Sequence, residues 1–142
     1  TIEEGSGRFI AWNFAWQRVQ EVFFVGGGFG HAEYVFKEHF AELSKLGHQG
    51  NAHNSFLTIW LDTGLIGILL FVTGLIRTSL LAIKNSAYAL PVLFSVLFST
   101  YFESWLAASL NPFTGLFIFS LSVLINDQDL SGDEMQTEDL SK

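Results

Sequence analysis

The sequence predicts an all-α protein built from multi-pass transmembrane helices and an amphipathic helical loop that precedes them. Three observations predict it. Between Ser55 and Asn126 the only charged residues are Asp62, Arg77, Lys84 and Glu103, and Leu, Phe, Ile, Val, Ser and Gly dominate the rest. Soluble core helices rarely stay apolar on every face for the ~20 residues that a bilayer demands. That stretch resolves into three apolar runs, at about 56–76, 87–103 and 108–125, each near the length needed to cross hydrocarbon at ~1.5 Å per residue. Ahead of them, apolar side chains recur with helical rather than strand periodicity.

Residues 1–54 form the first unit, a loop carrying two amphipathic helices. Thr1 to Gly7 is a polar lead-in. From Arg8 to Val25, the residues Phe9, Trp12, Trp16, Val19 and Phe23 recur at spacings of 3, 4, 3 and 4, which places them on one helical face. Tryptophans on such a helix suit a membrane interface, or packing against other protein. Gly26-Gly27-Gly28-Phe29-Gly30 ends that helix. It lacks the Gly-Lys-Ser/Thr ending of a phosphate loop and the Gly-x-Gly-x-x-Gly spacing of a dinucleotide site, so it reads as a turn with close backbone approach. A second amphipathic segment runs from about His31 to Leu46, with Val35, Phe36, His39, Phe40, Leu43 and Leu46 on one side, and Gly47 to Ala52 is a polar linker.

The three spans occupy residues 55–126, with Pro91 near the start of the second and Pro112 in the first turn of the third, where proline is tolerated. Arg77 and Lys84 flank the short connection after the first span with no acid nearby. By the positive-inside tendency that connection is cytoplasmic, which puts the segment before Phe56 and the turn from Glu103 to Asn111 on the outer side.

The formal charge of −7 belongs largely to residues 127–142, which hold Asp127, Asp129, Asp133, Glu134, Glu138 and Asp139 and no aromatic residue. This reads as an acidic, disordered cytoplasmic tail. No basic patch supports nucleic-acid binding. With no cysteine, disulfides and thiolate zinc sites are excluded. The chain starts at Thr1 without methionine or a signal-type leader, and reads as the C-terminal part of a longer protein.

Candidate chemistry centres on His53, at the outer mouth of the first span. Imidazole exchanges protons near neutral pH, so a histidine there is placed to act as general base on a hydroxyl, or else simply to cap the helix. Asn54 or Ser55 is the expected N-cap. Asp62 lies nine residues on, ~13 Å along a straight helix, too far for a dyad with His53. A carboxylate inside an apolar span is costly and calls for a partner, an arginine or a neighbouring helix. Gly64, Gly67 and Gly74 permit close helix packing. Arg8 and Arg18 are the only Arg or Lys residues in the first 36 and the side chains best matched to a pyrophosphate fork, although Arg18 also has Glu21 at i+3. His31, His39, His48 and His53 show no metal-ligand spacing, so no metal site is expected.

These residues resemble a known family. Ser6-Gly7-Arg8, Trp12, the glycine loop, and His53-Asn54 followed by nine residues, Gly64, two residues and Gly67 are similar to the C-terminal portion of the O-antigen ligase and polymerase family, over roughly Ser6 to Ile125. Asp62 stands where many members carry an acid, and Gly7-Arg8 with Trp12 resembles the start of the family's large periplasmic loop. The resemblance implies a multi-pass inner-membrane protein of C-type glycosyltransferase-like architecture. It implies metal-independent, inverting transfer of glycan from an undecaprenyl-pyrophosphate donor to a hydroxyl on a lipid A core sugar, another glycan or a protein, with no cofactor. His53 would then be the base. Arg8, and less directly Arg18, would hold the pyrophosphate, with Asn54, Asp62, Gly64 and Gly67 supporting. The alternative is a non-catalytic membrane module of a polysaccharide exporter or transporter, in which Asp62 and Glu103 line a path.

Overall fold

A computed structural model describes residues 8–45, 50–107 and 111–127. Within these the chain is helical and contains no strand: α1 (Arg8–Glu21), α2 (His31–Glu38), α3 (Phe40–Lys45), α4 (Ser55–Asn85), α5 (Ala89–Phe102) and α6 (Pro112–Ile125). The polar lead-in, Leu46 to Gln49, Ala108 to Leu110 and the acidic tail after Asp127 lie outside the described residues.

The first helix ends at Glu21, short of Val25, and the face it buries is rotated from the one its large residues mark, with Val19 common to both. Ala11, Ala15 and Val19 are fully buried, whereas Phe9 and Trp16 are exposed. These three sit at i, i+4 and i+8, a stripe of small side chains that lets α1 approach α4 closely. The larger residues flank the stripe. Trp12 reaches across to Tyr101 (ring centroids 5.4 Å apart) and Trp16 to Trp60 (5.6 Å). The second amphipathic segment is two helices rather than one. His39 leaves helical geometry (φ −96°, ψ 11°) while its N–H still donates to the Val35 carbonyl. Ala32, Phe36 and Leu43 then join the α1 stripe, Ala52 and Leu61 in one core.

The first apolar run continues as helix to Asn85 instead of ending near Ile76. Arg77 and Lys84 are therefore helical residues of α4, not the flanks of a loop. The turn that follows is short, with Ser86 capping α4 and Tyr88 preceding α5. A second core forms here from Ala82, Ala89, Leu93, Phe117 and Leu124, and joins the end of α4 to α5 and α6. Asn111 caps α6, its Oδ1 accepting from the Phe113 N–H at 2.9 Å, and Pro112 occupies the first turn where no backbone donor is required.

Among the described residues α4 alone is long and apolar enough to cross a membrane; α5 and α6 are apolar but have 14 residues each. Only 11% of the most apolar stretch of α4 is buried. Large apolar side chains such as Leu70, Phe94, Phe98, Phe113 and Phe119 stand exposed on all three helices. An apolar surface of this extent calls for lipid or further protein against it.

Candidate functional site

The site is assembled at the N-terminal end of α4. Asn54 is the N-cap: its Oδ1 accepts from the Leu57 N–H at 3.0 Å. Its other polar groups face the end of α5. Nδ2 donates to the Tyr101 carbonyl (3.1 Å) and the Asn54 N–H donates to Ser104 Oγ (3.1 Å). Ser55, fully buried, completes the clamp. Its hydroxyl donates to the Glu103 carbonyl (2.7 Å) and accepts from the Leu106 N–H (3.3 Å). The Asn54 carboxamide divides the two tasks between separate atoms, its oxygen accepting from its own helix and its nitrogen donating to the neighbouring one.

This clamp sets Glu103 beside His53, fifty residues earlier in the chain. One carboxylate oxygen lies 3.4 Å from His53 Nδ1 and the other 3.5 Å from Arg8 Nη2. The Arg8 guanidinium also lies over the Phe102 ring, 5.8 Å from its centroid. Side-chain exposures of 43% for Arg8, 49% for Glu103 and 18% for His53 show a cluster open to solvent on the carboxylate and guanidinium side with the imidazole more enclosed. Ion pairs this exposed add little to stability; what the arrangement supplies is placement. His53 is the one non-glycine residue with positive φ (43°) among the described residues, and its N–H donates to Asn51 Oδ1 (3.1 Å). Such a backbone is uncommon outside glycine and is held where surrounding contacts enforce it, often at functional sites.

Asp62, Gly64 and the glycine loop form a second construction. At Gly64 (φ 69°, ψ −170°) α4 is broken. In an unbroken helix the Leu65 and Ile66 N–H groups would donate to the Leu61 and Asp62 carbonyls. The loop intercepts both bonds. Gly27 and Gly28 N–H donate to those carbonyls (each 2.9 Å), and the freed Leu65 and Ile66 N–H donate to the Phe23 and Phe24 carbonyls (2.8 and 3.4 Å). The Asp62 carboxylate turns away from the helix axis and accepts from the Gly30 N–H (3.1 Å) and the Ala32 N–H (2.7 Å), at the start of α2. Its partners are thus backbone amides rather than an arginine.

The site residues expected from sequence separate into groups. His53 and Arg8 come together, through Glu103, and Asn54 supports them. Asp62 and Gly64 belong to the loop junction. Gly67 faces the side chain of Thr63, and Gly74 has open space around it among the described residues. Arg18 pairs with Glu21 (2.6 Å) and lies over the Phe14 ring, apart from the His53 cluster. The sequence places Glu103 only in the transporter alternative, lining a path with Asp62, and not beside His53. Its signal was a lone charge at the outer end of an apolar run.

A family model described as O-antigen ligase matches residues 3–72, which include Arg8, His53, Asn54, Asp62, Gly64 and Gly67. No curated protein and no solved structure matches the chain. The match supports a glycan ligase or polymerase role and a bacterial inner-membrane setting in general terms. It ends before Glu103.

Proposed function

We propose that this chain, of the O-antigen ligase family through residues 3–72, transfers a glycan from undecaprenyl pyrophosphate to a hydroxyl acceptor at the periplasmic face of the inner membrane. The observation that carries the reading is the cluster of His53, Glu103 and Arg8, in which one carboxylate faces an imidazole and a guanidinium.

In this reading His53 takes the proton from the acceptor hydroxyl as its oxygen bonds to the anomeric carbon of the donor. The bond from that carbon to the pyrophosphate oxygen breaks, and lipid pyrophosphate leaves. A single displacement of this kind inverts the anomeric centre. Glu103 fixes the imidazole through Nδ1 and favours the imidazolium that forms, the role of a carboxylate beside a catalytic histidine. Arg8 engages Glu103 through one nitrogen, and the rest of its planar fork offers donors for the pyrophosphate. Charge grows on the leaving group in the transition state, so a fixed cation aimed there lowers the barrier, and the chain needs no metal for that purpose.

The membrane setting draws support from the apolar surface of α4 to α6. With Arg77 and Lys84 on the cytoplasmic part of α4 and the His53 end outward, lipid-linked donor arrives laterally and a polar acceptor arrives from water. Multi-pass insertion through α4, α5 and α6 completes this arrangement.

The test is an assay of the full-length protein in nanodiscs, with undecaprenyl-pyrophosphate glycan, lipid A core acceptor and EDTA present. His53→Ala should lower transfer by about 10²–10⁴-fold, the usual contribution of a positioned base, with Glu103→Gln losing a smaller factor. Undiminished transfer by His53→Ala would reject the proposal.

A further inference from the structure

The glycine loop meets α4 within its apolar stretch, not at its end. The Phe23 and Phe24 carbonyls accept from the Leu65 and Ile66 N–H groups, and α4 carries no Asp, Glu, Lys or Arg between Asp62 and Arg77. The loop is equally free of charge, with no Asp, Glu, Lys or Arg from Val22 to Ala32. At its turn Phe24 and Val25 stand 65% and 76% exposed. Phe24 is bonded through the backbone to Ile66, and Ile66, Leu69 and Leu70 are exposed on one helical face. One apolar surface thus runs from α4 onto a short irregular segment. In water such a continuous patch would be a liability that soluble surfaces avoid.

Two further features fit lipid. Irregular backbone is tolerated at membrane depth where protein satisfies its polar groups. Gly26, Gly27, Gly28, Gly30 and His31 all donate their N–H groups within the molecule, and the Phe23 carbonyl accepts twice, from Leu65 and from Trp60 Nε1 at 3.1 Å. The second feature is an aromatic collar one turn nearer the His53 end. Trp60 packs against Phe23 and edge-on against Trp16, with ring centroids 5.3 and 5.6 Å apart, and tryptophan favours the boundary between membrane and water. Charge returns beside the collar, where Arg18 pairs with Glu21 in the last turn of α1.

We infer that Phe24 and Val25 insert among the acyl chains of the leaflet on the His53 side, as a shallow re-entrant wedge, with Trp16 and Trp60 at the level of the headgroups. The inference rests on the membrane setting of α4 proposed above and not on the transfer chemistry. It gives the glycine loop a second role. Besides mending the break at Gly64, the loop fastens α1 and α2, which it joins, to the membrane surface.

The test uses the full-length protein, freed of any cysteine, in nanodiscs of phosphatidylethanolamine and phosphatidylglycerol. Single nitroxide labels are attached through Phe24→Cys, Val25→Cys, Glu33→Cys, Ile66→Cys and Leu70→Cys, all at exposed positions. Power-saturation EPR compares collisions with oxygen, which concentrates in hydrocarbon, and with a water-soluble nickel chelate. Labels at 24 and 25 should favour oxygen, as those at 66 and 70 do, and the preference should reverse at 33. A benzophenone side chain in place of Phe24 should cross-link to lipid on irradiation. Collision with the chelate at 24 or 25 shows a loop facing water. Protection from both reagents there, with cross-links to peptide, shows a covering protein surface. Either result overturns the wedge while labels at 66 and 70 still report lipid. Chelate collision at 66 and 70 overturns the membrane setting of α4, and the wedge with it.

Discussion

Gly26 and Gly64 lie backbone against backbone. A Cβ on Gly64 would overlap the main chain of Phe24, Val25 and Gly26, and a Cβ on Gly26 would overlap that of Asp62 and Gly64. Both residues have positive φ (77° and 69°), so glycine is required twice over, by conformation and by space. The contact closes the break in α4. In a low-dielectric setting, four backbone groups left open there would each cost several kcal/mol.

Gly64→Ala and Gly26→Ala should therefore be among the most damaging single changes in the chain, costing more than the ~1 kcal/mol usual for a strained φ alone. Gly74→Ala, at an open helical position, should be neutral or stabilise by up to ~1 kcal/mol. Thermal unfolding of the three variants in detergent measures the contrast. Equal melting temperatures would show that the loop junction carries no such constraint.

Asn54→Ala removes the cap and one bond to α5 together. Loss of an N-cap costs ~1 kcal/mol, and the Tyr101 carbonyl loses a donor in a partly buried setting, so the sum should exceed a simple cap deletion. Asn54→Ser keeps a cap and loses the reach to Tyr101. It should recover most stability but less of the transfer activity, because the bond that holds the end of α5 at Tyr101, two residues before Glu103, is gone. Melting temperature and turnover, measured on both variants, separate the two roles.

Asp62→Asn leaves one acceptor where the carboxylate supplied two to Gly30 and Ala32. We expect a loss of ~1 kcal/mol or more, with amide exchange accelerated first at Gly30 and Ala32. Exchange rates at those two amides that match the wild type would count against the cap.

Arg8 and Arg18 should part company. Arg8→Lys keeps the charge and loses the planar fork, and should lower transfer by roughly tenfold or more. Arg18→Ala breaks an exposed i,i+3 pair and a contact with Phe14, and should shift stability by under ~1 kcal/mol with little effect on turnover. Steady-state rates on both variants decide; a larger loss at Arg18 would reinstate it as a ligand-binding residue.

Much of this was readable from the chain. The apolar runs announced helices because a bilayer-length stretch without charge has few other uses, and the His53-Asn54 pair stood out as a polar step at the mouth of one. A cap at Asn54 or Ser55 was readable from residue type, and the fold assigns it to Asn54. The inward face of α1 was not readable. Its largest residues mark one face, and close approach to α4 instead selects the small ones, Ala11 and Ala15. The length of α4 was misjudged for a related reason, since Arg77 and Lys84 look like loop residues and yet are good helix formers.

By itself, the sequence determined which segments are helical and which are glycine loops, because hydropathy, periodicity and residue conformational preference act over a few neighbours. It also placed His53 and Arg8 in the same loop unit. Only the tertiary structure decided that Glu103 stands between His53 and Arg8, and that residues 23–28 mend a break in α4 at Gly64. Those pairings join residues about fifty, ninety-five and forty positions apart, and separations of that kind are set by how helix faces and unpaired backbone groups find one another, not by local order.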